Sequence, residues 1–445
     1  FVICAGAALA VALVPAYPGL SPAGRWALFI LVFAAELWIT EAIPAFAVAL
    51  LVIGLEIAIL GRPGGPFATS PKQWEIFVRP WSSPLIWLFF GGFVLAEGAT
   101  KTRVDRWLAR MVLKRFGQRP DQVLMGVMTV TFSLSMFMSN TATTAMMIAI
   151  IGSMVASLSA DDPFAKALLL GVPFSANLGG MATLIGTPPN AIAAGALAWT
   201  TPISFPRWIM IGLPPSLVLA GVLWLYLRRM IPSGTEGVDL SAFRVDADTA
   251  NGEPFWRRAV VILVFLLTAG LWLTGPLHKI PTPVVSFIPI TVFAVTGVLD
   301  ADDVRSLHWD VLLLMTGGLS LGVAVAETGL AKWIVEFLPT EGLGPFGIAL
   351  GLAYLAVIIS NFVSNTAVAN LLVPIALPIA AGIEARIVVP VALAASTAMC
   401  FAISTPPNAI AFSTGKLTAR DLLMGGAILG ILGPLLVVAW SALVL

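Results

Sequence analysis

The sequence predicts an all-α polytopic membrane protein, with about 11 transmembrane helices plus two re-entrant hairpins in an inverted repeat. Three observations carry that prediction. Apolar residues make up 59% of the 445-residue chain and charged residues 11%, against roughly 25% charged in ordinary soluble domains. The apolar residues fall in helix-length runs, and about 20 residues at 1.5 Å rise cross a hydrocarbon layer of about 30 Å. A polar interruption of one such run also recurs, because Ser135, Ser139, Asn140 and Thr141 are matched 225 positions later by Ser360, Ser364, Asn365 and Thr366. Polar backbone at membrane depth is tolerated only where protein buries it or water reaches it, so a duplicated interruption marks a binding site.

Taken in order, the run at 1–14 lacks a basic leader and a small-residue cleavage site and reads as a helix. Further spans are expected at 25–43, 45–61 and 85–100. Lys101 to Arg119 carries seven Lys or Arg against one Asp, with Trp107, Leu108, Met111 and Val112 at helical spacing. That pattern lies along the cytoplasmic interface. Residues 121–157 form two arms, each too short for a comfortable span, around the Ser139-Asn140-Thr141 tip, and read as a hairpin entering from the cytoplasm. The helix over 164–199 is expected to break at Asn177-Leu178-Gly179-Gly180 and again at Gly186-Thr187-Pro188-Pro189-Asn190, since consecutive prolines remove donors and cannot continue a helix. Helix 206–230 closes the first half, 1–230, and the hydrophilic stretch 231–255 is a cytoplasmic connector.

The second half, 256–445, repeats the plan with helices at 256–275, 283–299 and 310–325, an interfacial piece at 326–340 and a hairpin at 344–383. A helix over 387–415, broken at Ser404-Thr405-Pro406-Pro407-Asn408, and a helix over 421–445 complete it. Gly91-Gly92 recurs as Gly317-Gly318, and Thr102 and Trp107 recur as Thr328 and Trp333, each 226 positions on. With the hairpins not crossing, Arg228, Arg229, Arg257, Arg258, Lys416 and Arg420 fall inside, and sixteen of the 24 basic residues are cytoplasmic. Each half has five full spans after the extra first helix, so the halves insert with opposite orientation, as alternating access requires.

Two tips and two Thr-Pro-Pro-Asn breaks would supply hydroxyls, carboxamides, free carbonyls and helix N-termini. Helix N-termini favour an anion's oxygens, and carbonyl, Ser and Asn oxygens favour a hard cation such as sodium. No Lys or Arg lies near either tip in the sequence, so bound cations would offset the anion's charge. Any single Ser-Asn-Thr could simply cap a helix; two matched copies beside two matched breaks favour binding. Asn177 and Gly179-Gly180 read equally as a flexible break or as close helix packing. Among acids in the spans, Glu36, Glu56 and Glu97 flag possible function, and Glu41, just before Pro44, reads as a helix-end residue. Cys4 and Cys400 read as small hydrophobes, His278 and His308 are poor metal ligands, and a net charge of +1 argues against a nucleic-acid partner.

Trp38-Ile39-Thr40-Glu41-Ala42-Ile43-Pro44, the two Ser-Asn-Thr tips and the two Thr-Pro-Pro-Asn breaks resemble the divalent-anion/sodium symporter family over nearly the whole chain. The resemblance implies a homodimer in the bacterial cytoplasmic membrane, in which a scaffold holds an elevator-type transport domain built from both hairpins and both broken helices. It implies a small dianionic substrate, a C4-dicarboxylate, citrate or sulfate, moved with sodium. One of two sodium ions would lie among Ser135, Ser139, Asn140 and the Gly186 carbonyl, the other among Ser360, the Val363 carbonyl, Asn365 and the Ser404 carbonyl. Asn140, Thr141, Thr187, Asn365, Thr366, Thr405 and Pro406 would face the anion. Membrane lipid is the remaining expected partner. A channel using the same tips, a sodium-independent exchanger and a membrane enzyme are the competing readings, the last without a nucleophile–base pair to support it.

Overall fold

The computed structural model describes residues 1–14, 17–158, 162–198, 200–230, 254–337 and 344–445, and every regular element among them is helical. Six helices there are long and apolar enough to cross a membrane: Pro22–Thr40, Glu75–Lys101, Phe205–Arg228, Phe255–Leu273, Trp309–Glu327 and Ala419–Val444. Shorter apolar helices, Val2–Leu13, Ala45–Gly61 and Thr282–Val295 among them, stand beside these, and the chain is an integral membrane protein.

Local chemistry sets where the helices begin and turn. Ser21 accepts the Gly24 N–H at 2.9 Å with Pro22 at the first helical position, and Thr418 and Asp421 form a reciprocal capping box. Glu41 ends Pro22–Thr40 in the left-handed region, φ 49°, and is exposed, and the chain then re-enters helix after Pro44. Its place at a corner fits the helix-end reading. Arg103, φ 58°, makes a second corner between Pro84–Lys101 and the interfacial helix Val104–Leu113. The basic stretch is therefore helical only over that shorter range.

Both hairpins have the same build. Pro120–Ser135 and Asn140–Ser157 flank the first tip, and Pro345–Ser360 and Asn365–Ile379 flank the second. At the open end of the first hairpin, Asp121 pairs with Arg119 at 3.5 Å and Arg228 at 3.7 Å. Lys416 donates to the carbonyls of Val155 and Leu158 at 2.5 and 2.6 Å, and Lys166 meets Asp421 at 3.8 Å. These basic groups gather at one end of the helices. At the other end Arg207 reaches the Val444 carbonyl and Trp440 donates to Met210 O at 3.1 Å, so Phe205–Arg228 and Ala419–Val444 run antiparallel.

The halves then interlock. Pro120–Ser135 packs on Pro163–Met181, and Pro345–Ser360 packs equivalently on Glu384–Ala395. Pro188–Ala196 crosses to the second hairpin's arm Asn365–Ile379, while Pro406–Phe412 crosses to the first hairpin's arm Asn140–Ser157. Each hairpin is thus backed by the half-helix that follows the other half's break.

Two expectations need correction. The helix Pro163–Met181 runs unbroken through Asn177-Leu178-Gly179-Gly180, because its glycines serve close contact: a Cβ on Gly179 would stand 2.2 Å from Phe132 O, and one on Gly180 2.5 Å from Asn140 Oδ1. Only the second break exists. The span at 283–299 is shorter, Thr282–Val285 and Phe287–Val295 with a bend at Ser286. Residues 231–253 of the connector and 338–340 of the interfacial piece lie outside the described residues.

One asymmetry remains. In the second half Trp309–Glu327 packs directly on Asn365–Ile379, with Gly318 against Asn370 and Asn370 Nδ2 donating to Leu314 O at 3.1 Å. In the first half the matching glycine, Gly92, faces the Ile185 side chain instead.

Candidate functional site

The first tip is a hydrogen-bonded unit. Ser139 caps Asn140–Ser157, accepting the Ala142 N–H at 3.1 Å, so its side chain does what a cap does. Ser135 donates to Asn140 Oδ1 at 2.7 Å, Asn140 Nδ2 donates to Asn177 Oδ1 at 3.3 Å, and Asn177 Nδ2 donates to Thr405 Oγ1 at 3.1 Å. This path ties the first tip to the break of the second half. Asn177 is buried at 1% exposure, and its role as a bridge was missed by sequence reasoning; the signal available was a polar residue within an apolar helix next to a matched tip.

Gly186 lies close behind the same tip: a Cβ there would stand 2.5 Å from Gly180 O, and Gly180 itself abuts Asn140. Ser135, Asn140 and Gly186 are therefore brought into one locality. Thr187 and Thr405, 6% and 4% exposed, sit in extended backbone directly before their proline pairs. Prolines at the first two helical positions lack N–H groups, so free donors for an anion lie at the hairpin tips, where the first N–H groups of a helix have no intrahelical partner.

The asparagines ending the Thr-Pro-Pro-Asn motifs fix the unwound carbonyls. Asn190 Nδ2 donates to Gly180 O at 2.9 Å and Thr183 O at 2.7 Å, and Asn408 Nδ2 donates to Met399 O and Phe401 O, both at 3.0 Å. Asn361, a second residue left without a role by the sequence, accepts the Cys400 N–H at 2.8 Å, while Ser404 donates to its backbone carbonyl at 2.9 Å. The Ser404 side chain thus braces the second hairpin, where Gly186 has no room for a Cβ at all.

The second tip differs in one respect. Ser364 caps Asn365–Ile379 through the Ala367 N–H at 3.2 Å, but Ser360 Oγ and Asn365 Oδ1 are both buried without a hydrogen-bond partner. Val363 is buried beside them at 4% exposure. Buried unpaired oxygens are costly, and a hydroxyl, a carboxamide and backbone carbonyls are hard neutral donors of the kind that hold an alkali cation. The residues present therefore fit a sodium ion. No group of three His, Cys, Asp or Glu among the described residues could hold a metal. Of the residues that the sequence assigned to the anion, Thr141 and Pro406 are exposed and Thr366 is half-buried, whereas Thr187 and Thr405 are buried.

Glu56 lies elsewhere, fully buried in the π-helical turn Glu56–Gly61 and hydrogen-bonded to Ser320, which also reaches Phe77 O at 2.9 Å.

A family model described as a citrate transporter matches residues 35–398. The sodium-dependent dicarboxylate transporter SdcS of Staphylococcus saprophyticus is 30% identical over 460 residues, 94% of this chain and 86% of that one. Its counterpart in Staphylococcus aureus is 30% identical over 457 residues, 93% and 85% of the two chains. Among solved structures, MtrF of Neisseria gonorrhoeae, described with a class of antimetabolite efflux pumps, aligns with a TM-score of 0.58 at 13% identity, covering 92% of this chain and 96% of that one. The YdaH transporter of Alcanivorax borkumensis aligns with a TM-score of 0.53 at 14% identity, covering 92% and 97%. At these identities the two structures show a likeness of fold alone.

Proposed function

Since the chain belongs to the citrate-transporter family and to the wider divalent-anion/sodium symporters, we propose that it is a secondary transporter carrying C4-dicarboxylates across the bacterial cytoplasmic membrane together with sodium. The observation that carries this reading is the pair of buried, unpartnered oxygens at the second tip, Ser360 Oγ and Asn365 Oδ1. They ask for a cation in a locality built of neutral donors. Ser360, Asn365 and the carbonyls of Val363 and Ser404 hold one sodium ion in this reading. Ser135, Ser139, Asn140 and the Gly186 carbonyl hold the other. Bound sodium supplies positive charge that offsets a dianion, which would otherwise face only partial charges and hydroxyls.

The anion is bound by the tips' free N–H groups, the Asn140 and Asn365 carboxamides, the hydroxyls of Thr141, Thr187, Thr366 and Thr405, and contact with Pro406. A C4-dicarboxylate can reach both tips at once, one carboxylate at Asn140-Thr141 and the other at Asn365-Thr366. In this reading the hairpins and broken helices move together as an elevator against the remaining helices, in a homodimer. Their mutual packing supports a common body.

Uptake of labelled succinate into proteoliposomes tests the proposal. Apparent affinity for succinate should rise with external sodium, and lowering pH towards the second carboxyl pKa should weaken uptake by removing dianion. Succinate exchange that ignores sodium would replace symport with exchange. Citrate or sulfate uptake that succinate does not compete would replace the substrate.

A further inference from the structure

The hydrogen-bonded path from the first tip to the second break has a direction, and that direction decides what Thr405 can offer. A hydroxyl has one hydrogen and two acceptor lone pairs. Thr405 Oγ1 accepts from Asn177 Nδ2 at 3.1 Å and from the Asn408 backbone N–H at 3.3 Å, so both lone pairs are taken. Its own hydrogen must then go to a third group, and a hydroxyl in that state can only donate, which suits a carboxylate oxygen. The counterpart Thr187 makes no capping bond through its side chain. Asn177 stands thirteen positions before Asn190, and the residue thirteen before Asn408 is Ala395, so the repeat gives Thr187 no matching donor.

The same heavy atoms admit a second polarity. Carboxamides can turn end for end and hydroxyls both donate and accept, so the path could also run in reverse, with Asn140 donating to Ser135, Asn177 to Asn140 and Thr405 to Asn177. Thr405 would then give its hydrogen to the protein and have none for an anion. The structure holds the forward polarity, Ser135 to Asn140 Oδ1 at 2.7 Å and Asn140 Nδ2 to Asn177 Oδ1 at 3.3 Å. A cation held by Asn140 lies against its carbonyl oxygen and never against its NH2 hydrogens, which carry positive partial charge. Sodium at the first tip is therefore compatible with the forward polarity alone.

We propose that Asn177 is a positioning residue that couples the first sodium site to the anion. Sodium on Asn140 Oδ1 fixes the direction of the path, and Asn177 passes that direction to the Thr405 hydroxyl, whose hydrogen is then turned to a carboxylate oxygen. This role rests on the transport reading given above. Coupling between two binding sites is reciprocal, so a dicarboxylate held by Thr405 strengthens sodium at Asn140 by the same factor. An asparagine that only filled space in Pro163–Met181 would carry no such link.

Equilibrium binding of labelled succinate to the purified chain in detergent, at limiting and at saturating sodium, tests it. In the parent, sodium should raise succinate affinity. Asn177→Ala and Thr405→Val should each lose about fivefold of that gain, the lower end of couplings between sites, and the double variant should lose no more than either. Thr187→Val should keep the gain, although Thr187 follows Gly186 just as Thr405 follows Ser404, so that proximity to sodium alone would treat the two alike. Sodium without succinate should raise the melting temperature of Asn177→Ala as it does the parent's, since the oxygens assigned to the cation remain. Weakening of Asn177→Ala by one factor at every sodium concentration, additive losses in the double variant, or a lost melting response would overturn the proposal. Equal losses of the gain in Thr187→Val and Thr405→Val would overturn it without recourse to any Asn177 variant. A parent whose succinate affinity ignores sodium would overturn the symport reading and this coupling with it, whereas a gain present in the parent and kept by Asn177→Ala would overturn the coupling alone.

Discussion

Asn140 and Asn365 occupy equivalent places in the two tips, yet their carboxamides are used differently. Asn140 is hydrogen-bonded to Ser135 and Asn177, whereas Asn365 Oδ1 is buried and unpaired. Truncation should therefore separate stability from binding. Asn140→Ala should abolish uptake and also cost about 1–3 kcal/mol for each buried bond lost. Asn365→Ala should abolish uptake with little change in melting temperature without sodium, while removing the rise in melting temperature that added sodium gives the parent. Equal loss of sodium-free stability in both variants would show that Asn365 is structural. Asp105 offers a separate test in the interfacial helix, where burial pushes its carboxyl up to about 6 from an ordinary 3.8. The folded state thus favours the protonated form, so the associated stability is complete below about pH 4 and is lost as pH rises through about 6. Asp105→Asn should flatten thermal stability across that window and exceed the parent above it by at most about 3 kcal/mol. An unchanged slope would contradict the assignment.

At the scale of elements, the hairpins and the Thr-Pro-Pro-Asn breaks were legible because Pro, Gly, Ser and Asn impose their consequences locally. The Asn177 to Gly180 segment was not, since glycine pairs suit both flexible breaks and close packing, and only the neighbouring chain distinguishes them. Here Phe132 O leaves no room at Gly179, where a Cβ would come within 2.2 Å. Gly179→Ala should push the hairpin arm Pro120–Ser135 away from Pro163–Met181 and destabilise the chain by about 1–3 kcal/mol. Gly152→Ala, in a helix interior with nothing within 4 Å of the added methyl, should not destabilise the chain in the same melting assay and should stabilise it by up to about 1 kcal/mol. If neither substitution destabilised the chain, the packing explanation for the glycine pair would fail.

For the whole molecule, the two halves share connectivity but not their seams. Gly318 abuts Asn370, with the Asn370 Cγ 2.4 Å from where a Cβ on residue 318 would stand, so two Cβ atoms there would be at most about 4 Å apart, within disulfide reach. Gly318→Cys with Asn370→Cys, in a chain carrying Cys4→Ser and Cys400→Ser, should cross-link on oxidation, stop succinate uptake and recover on reduction. Complete cross-linking with full uptake would mean that this seam stays closed throughout transport, against the elevator reading.

The sequence by itself determined the membrane class, the repeat, the hairpin tips and the kinds of donor they offer. These follow from composition, apolar run length and local backbone chemistry, which act within a few residues of the chain. The tertiary structure alone decided that Asn177 bridges the first tip to Thr405, that Ser404 braces Asn361, and that Ser360 and Asn365 keep unpaired oxygens. Each depends on residues from separate helices meeting, some of them more than 200 positions apart in the chain. It also decided that Gly318 meets Asn370 where Gly92 meets Ile185, because repeated sequence specifies equivalent helices without specifying how each half rests against its neighbours.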